Sequence, residues 1–382
     1  MIMEKRKIPI SIPVMGDEEL EALKAPIQTG WLTSGPKVSE FEKEFSEIHN
    51  VKHAIAVTSA TTALHLALVA LNIGPEDEVI VPAFTWVSTA NVVLYQGAKV
   101  VFSDIDPKTF NIDPIKLKDK ITPKTKAVMV VHLFGLCAPM DEIKQIVGDI
   151  PIIEDCACAA GAAFNKIPAG GLGLFGCFSF HPRKSITTGE GGMITTNSNE
   201  LAEKIKVLRN HGASISEEQR HHGDKPYLLP DFNVLGYNYR MTDLQGALGS
   251  VQLKKLEKFI RQRKKWAEYY INKLSGIEWL KLPKHSEKCK HGWQSFVMIV
   301  DEKKSPMSRN KIMEKLQQEG ISTRPGTHAI HMLNYYSEKY SIKPGDFPGA
   351  QIANNYSISI PLHNKMTKKD FDYIIYHLKH LM

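Results

Sequence analysis

The stretch FSFHPRKSITTGEGGMITT, residues 178–196, decides the reading of this chain. Two short β-type runs, Cys177–Phe178–Ser179–Phe180 and Met193–Ile194–Thr195–Thr196, flank a polar loop. In that loop Arg183 and Lys184 are followed by the hydroxyls of Ser185, Thr187 and Thr188, then by Gly189–Glu190–Gly191–Gly192. Most lysines are solvated surface charges. A lysine set between strands, among small residues that let another group approach, is placed to lose its proton and attack a carbonyl.

Outward from this loop, the chain alternates strand-like and helix-like segments. AIAVTS (54–59) runs into TTALHLALVALNIG, where Leu64, Leu68 and Leu71 recur at helical spacing before Gly74–Pro75. EVIVP, KVVFSDI, KAVMVVHL and PIIEDC follow, β-branched and apolar on both faces, as suits a parallel sheet covered by helices on both sides. WVSTANVVLYQG and MDEIKQIVG serve as crossovers. After residue 245, GALGSVQLKKLEKFIRQRKKWAEYYINKLSG reads as one long amphipathic helix leading into a smaller mixed region. The expected division, made inside that helix, is a large α/β domain over 1–250 and a small α+β domain over 251–382.

Composition agrees with a globular protein: 382 residues, 43% hydrophobic and 23% charged, too long for one ordinary core. The net charge of +7 suits an anionic substrate but forms no basic tract, so nucleic acid is not implied. The segment MIMEKRKIPISIPVM lacks a signal-peptide apolar region and no run is long enough to span a bilayer, so a cytoplasmic location is expected. Five scattered cysteines, an odd number, fit reduced thiols, and the spacing of Cys156 and Cys158 is too close for a zinc site. No metal is expected. Gly171, Gly173 and Gly176 spell G-x-G-x-x-G, but a strand follows them instead of a helix, which removes the dinucleotide reading.

Three further places carry chemistry. TSATT (58–62) joins a buried strand to a helix start, which serves equally as an ordinary cap or an anion site. Asp155 ends the run IIED at a strand's carboxyl edge, where open α/β sheets bind ligands. Trp86 in PAFTWVSTAN lies just past a strand; core packing is the usual fate of such a ring, covering a flat ligand the alternative. An anion cradle, a strand-end carboxylate, an aromatic lid and an amine nucleophile are together what pyridoxal 5′-phosphate (PLP) requires: phosphate anchored, ring nitrogen held charged, ring stacked, aldehyde captured as a Schiff base.

With these residues in place the chain resembles the DegT/DnrJ/EryC1/StrS group of PLP-dependent nucleotide-sugar aminotransferases. The likeness runs in order through GWLTSGPKVSEFE (30–42), TSATTALHLAL, PAFTWVSTAN, HLFGLCAPM, IIEDCACAAGA, the lysine loop, LGYNYRMTDLQGALG, STRPGTHAIHMLNYY and SIPLHNKMT. It implies the fold type I aminotransferase architecture, a PLP/PMP cofactor and a homodimer with shared active sites. By the same resemblance, Lys184 binds the aldehyde and shuttles protons, Asp155 pairs with the ring nitrogen and Trp86 stacks on the ring. Ser59, Ala60, Thr61 and Ser179 hold the phosphate, and Asn238 reaches the cofactor phosphate of the neighbouring subunit. Trp31, Thr33, His328 and His331 fall in segments bordering the sugar site, and Arg183 is a diphosphate candidate by adjacency alone.

One position departs. Cys158 stands where many relatives carry Gln or His beside the cofactor ring, so a thiol replaces a stronger hydrogen-bond partner. The implied reaction is amination of a nucleotide-linked 4-keto-6-deoxy sugar, with glutamate as donor and 2-oxoglutarate as by-product. Amination of a 3-keto sugar, sugar dehydration (in which a histidine replaces the lysine) and a non-catalytic regulatory role are the alternatives.

Overall fold

The structure, a computed structural model, describes residues 5–215, 227 and 229–381. The strand-like runs form one seven-stranded sheet. Its members are β1 (His53–Val57), β2 (Glu78–Pro82), β3 (Lys99–Ser103), β4 (Thr125–Val131), β5 (Ile152–Asp155), β6 (Phe175–Ser179) and β7 (Gly192–Thr196). Their spatial order is β1-β7-β6-β5-β4-β2-β3, and β7 alone runs antiparallel, against both β1 and β6.

The exception has a local cause. The loop between β6 and β7 closes on itself as a hairpin: the Phe180 amide donates to the Gly191 carbonyl at 2.9 Å, and the Thr188 amide donates to the Phe180 carbonyl at 3.0 Å. A hairpin can join only antiparallel strands, whereas the parallel pairs need crossovers.

Alternate residues of each strand enter different cores, which explains why the runs are apolar on both faces. Ile55, Val57, Ala127, Met129 and Val131 join the helices Ala60–Ala70, Ser88–Tyr95 and Asn199–Arg209. Ala54, Ala56, Val128 and Val130 face Pro36–His49, Met140–Val147 and the first half of the long helix Asp243–Leu274. Each fully buried Val, Ile or Met side chain here contributes about 1.5–3 kcal/mol relative to exposure, and the alanines less.

The long helix then changes partners. Leu253, Leu256, Phe259 and Ile260 belong to the second core, while Ala267, Tyr270 and Leu274 belong to a third. That third core covers a three-stranded antiparallel sheet of Leu280–Lys281, Phe296–Val300 and Ser357–Ile360. Ile8 also sits in it, bridged to Ile321, because the Ile8 amide donates to the Gly320 carbonyl and the Ser322 amide to the Ile8 carbonyl. The start of the described chain therefore crosses to the smaller module, away from the large domain with which the sequence grouped it. Among the described residues no helix is long and apolar enough to cross a membrane.

Candidate active site

The hairpin return of β7 brings several chain segments to one edge of the sheet. In the strand register Val57 faces Gly192, which faces Ser179, while Asp155 faces Cys177. The carboxyl ends of β1, β5 and β6 therefore meet the amino end of β7. Glycine is required at that junction: a Cβ on Gly192 would stand 2.4 Å from the carbonyl carbon of Ser59.

Lys184 enters from the turn after β6, where its amide donates to the His181 carbonyl at 2.8 Å. Its ammonium nitrogen donates to Cys158 Sγ at 3.3 Å, so the ends of β5 and β6 are bridged by side chains. The residue that departs from the resemblance is thus the lysine's hydrogen-bond partner.

Asp155 is buried at the foot of this bridge. Thr89 Oγ1 donates to its Oδ2 at 2.9 Å and the Ala157 amide to its Oδ1 at 3.1 Å. Burial pushes the carboxyl above its ordinary range; these two bonds and the nearby Lys184 pull the other way without cancelling it. A cation brought to this carboxylate would relieve the cost of its burial.

Ser59 satisfies both sequence readings. It is the N-cap of Ala60–Ala70: its hydroxyl accepts the Thr62 amide at 3.1 Å, and its own amide donates to Thr62 Oγ1 at 3.0 Å. The amides of Ala60 and Thr61 find no acceptor among the described residues, leaving two N–H groups at the positive end of the helix. Ser179 Oγ accepts the His181 amide at a long 3.4 Å. Asn238 is exposed; the next residue, Tyr239, accepts the Thr58 amide through its carbonyl, which sets Asn238 beside the same turn.

Trp86 is not a core residue. It is 55% exposed, and its ring lies edge-on to His328, centroids 5.5 Å apart. Pairing of Phe84–Thr85 with His328–Ala329 holds the two segments together. His331 does not reach this cleft. It is completely buried, packed on Phe347 at 4.8 Å, with Nε2 against the Pro344 carbonyl at 3.1 Å. Trp31 and Thr33 lie on a loop fastened to the long helix, where the Asp243 amide donates to the Leu32 and Thr33 carbonyls and the Asp243 carboxylate accepts the Gly35, Lys37 and Val38 amides. Arg183 is exposed, and its carbonyl accepts Gln294 Nε2 at 2.8 Å.

Thr89, Glu154 and His132 are the residues that the sequence did not single out. Glu154 is wholly buried and accepts the amides of Gly170 at 2.9 Å, Leu172 at 2.8 Å and Gly173 at 2.5 Å. His132 Nε2 meets Glu154 Oε2 at 2.8 Å; its Nδ1 accepts the Ala138 amide, which leaves the ring proton on Nε2. Cys156 Sγ also lies within 4.8 Å of these ligand-type atoms, but a carboxylate already taking three amides and an imidazole is a hydrogen-bond hub. The glycine cluster thus serves to expose amides to Glu154, which stiffens the strand end that carries Asp155. A signal was available in the sequence: an acidic residue inside an apolar strand, followed by a glycine-rich turn.

A PLP group fits what is present. Two free amides at a helix start suit its phosphate, a buried carboxylate raised by desolvation suits its ring nitrogen, an exposed tryptophan suits its ring face, and Lys184 reaches the end of the Asp155 strand through Cys158.

Comparison with known proteins agrees. The profile of the DegT/DnrJ/EryC1/StrS aminotransferase family matches residues 13–379. The chain is 39% identical to the spore coat polysaccharide biosynthesis protein SpsC of Bacillus subtilis over 379 residues, 98% of this chain and 97% of SpsC. Among solved structures it resembles Spr1654 of Streptococcus pneumoniae, provisionally assigned as a sugar aminotransferase and solved in PLP and PMP forms. The PLP form gives a TM-score of 0.90 at 29% identity, over 99% of this chain and 100% of that one. The GDP-4-keto-6-deoxymannose-3-dehydratase ColD, solved with bound GDP-perosamine, gives 0.88 at 30% identity, over 97% of this chain and 100% of its own.

Proposed function

This chain belongs to the DegT/DnrJ/EryC1/StrS aminotransferase family, and from that premise we propose that it transfers an amino group from glutamate to C4 of a nucleotide-linked 4-keto-6-deoxy sugar. It is a PLP-dependent sugar aminotransferase of fold type I, as its family and structural neighbours are. The observation that supports amino transfer at this site is the convergence of Lys184, Cys158 and the buried Asp155 on one strand edge beside the free amides of Ala60 and Thr61.

PLP, when bound, supplies an aldehyde that takes up amino groups and an electron-poor ring that accepts the electron pair released at the donor carbon. The protein's own residues do the rest. In the proposal, Lys184 Nζ would hold the aldehyde while no donor is bound and, once released from it, would serve as the base that accepts the donor's Cα proton and the acid that delivers it onward. Asp155 keeps the ring nitrogen charged, which favours electron withdrawal. The amides of Ala60 and Thr61, with the hydroxyls of Ser59 and Ser179, hold the phosphate. Trp86 covers the ring and His328 positions the sugar beside it; Trp31 and Thr33 border the sugar from the loop before Pro36–His49. Cys158 holds the lysine amine on the cofactor side. His331, buried against Phe347, takes no part.

C4 amination rests on the likeness of FTWVSTAN and RPGTHAIHM to 4-amino-sugar enzymes. A 3-keto sugar is the alternative within the family; Lys184 itself argues against dehydration of the ColD kind. Purified protein given glutamate and a panel of nucleotide-linked 3- and 4-keto-6-deoxy sugars should yield a product whose new amine NMR places at C4. An amine at C3, or loss of an oxygen without an amine, would replace this reading.

The same proposal includes a homodimer in which Asn238 of each subunit completes the other's phosphate site. Supporting it, Tyr227, Leu229, Phe232, Val234 and Leu235 are all exposed in the stretch leading to Asn238, Leu235 at 86%. Exposed apolar patches of this kind mark interaction surfaces. Light scattering on the purified protein should give about twice 42.8 kDa; a stable monomer would remove the shared-site arrangement. The proposal also takes 1–250 and 251–382 as the two domains, with the Ile8 segment of the first reaching across to the second, and polysaccharide precursor synthesis in the cytoplasm as the setting, which unpaired cysteines suit and cell fractionation would check.

A further inference from the structure

Behind the lysine loop lies a polar feature that transamination does not use. Lys184 itself, with Ser185, Ile186, Gln252, Arg263 and Asn364, helps line a cavity of about 10 Å³. Arg263, from the long helix, is 4% exposed. Its Nε donates to Asn364 Oδ1 at 2.7 Å, and its Nη1 donates to the carbonyls of Gln294 and Trp293 at 3.2 and 3.4 Å. Among the described residues its Nη2 finds no acceptor and no carboxylate pairs with it. Burial alone pulls its pKa down to about 10, with no acid near enough to oppose the shift.

Further unengaged donors stand on the cavity wall. Ser185 Oγ is buried without a partner, and the amides of Ser185 and Ile186 have no acceptor among the described residues. Two acceptors of the wall are already engaged: Gln252 Oε1 by the Thr187 amide at 3.4 Å, and Asn364 Oδ1 by Arg263. A buried cation without a counter-charge, surrounded by spare donors, calls for an anion. The space is about 10 Å³, small enough to favour a monatomic anion over sulfate or phosphate.

We propose that this cavity is a halide site that takes chloride between the Arg263 guanidinium and the Ser185 hydroxyl, tying the lysine loop to the long helix. The site stands apart from the identity of the sugar and of the amino donor. The test uses the purified holoenzyme. Its thermal midpoint is followed while sodium chloride replaces sodium gluconate at constant ionic strength, and crystals grown in sodium bromide are examined for anomalous scattering. Chloride should raise the midpoint saturably, and bromide should give an anomalous peak between Arg263 and Ser185. Ser185→Ala should weaken the apparent chloride affinity about tenfold, the loss of one hydrogen bond to a charged partner. Arg263→Met should abolish the dependence; should that variant not fold, Ser185→Ala decides alone. A midpoint indifferent to chloride, a cavity holding only water in bromide crystals, or an unchanged chloride dependence in Ser185→Ala would overturn the proposal.

Discussion

Lys184→Ala is expected to lower turnover about 10⁴-fold or more while the protein stays folded by circular dichroism. The lysine is proposed for two duties, and alanine removes both: the amine that holds the cofactor aldehyde and the base that moves the donor's proton. Its surroundings limit the structural cost of the change. Lys184 is only partly buried, and its ammonium makes one hydrogen bond, to Cys158. Loss of activity should therefore come with loss of the visible absorbance of lysine-bound cofactor and with little change in thermal midpoint. A variant that kept both its chromophore and its turnover would show that another amine does this work.

Asp155→Asn is the second large effect. The substitution keeps the shape but removes the charge and one acceptor: the amide oxygen can keep the bond from the Ala157 amide, while the NH2 would face Thr89 Oγ1, whose hydroxyl must then accept instead of donate. In the wild type, burial lifts the carboxyl and a cationic ring nitrogen would relieve it. Asparagine offers no such relief, so electron withdrawal by the ring weakens; kcat should fall about 10²–10³-fold, on the scale of losing one preorganised electrostatic contact. KM for the sugar should change much less, because Asp155 acts on the cofactor ring. An effect confined to KM would place Asp155 in substrate binding.

Much of this arrangement was legible in the sequence because it rests on local patterns. Two-faced apolar runs imply a covered parallel sheet, and alternate residues do enter separate cores. The lysine loop announced itself by its glycines and hydroxyls, and at Gly192 the close approach to Ser59 supplies the reason. Long-range packing was harder to read. His328 and His331 look equivalent in THAIHM, yet one short turn directs the first to Trp86 and the second into the core on Phe347. Glu154 seemed a neighbour of Asp155, while its function comes from glycines 16 to 19 residues away and from His132 on the adjacent strand end. Ile8 reached the small module through edge pairing with Ile321, which no periodicity in the short segment around it could reveal. Cys158 looked like the loss of a polar partner; in the structure its sulfur accepts the lysine's hydrogen bond.

The central claim concerns which amine holds the cofactor. Borohydride reduction of the holoenzyme, followed by protease digestion and mass spectrometry, should place the phosphopyridoxyl group on the peptide carrying Lys184, with the other lysines unmodified. The same mass on any other peptide, or an unlabelled Lys184 in protein that still transfers amines, would contradict the account.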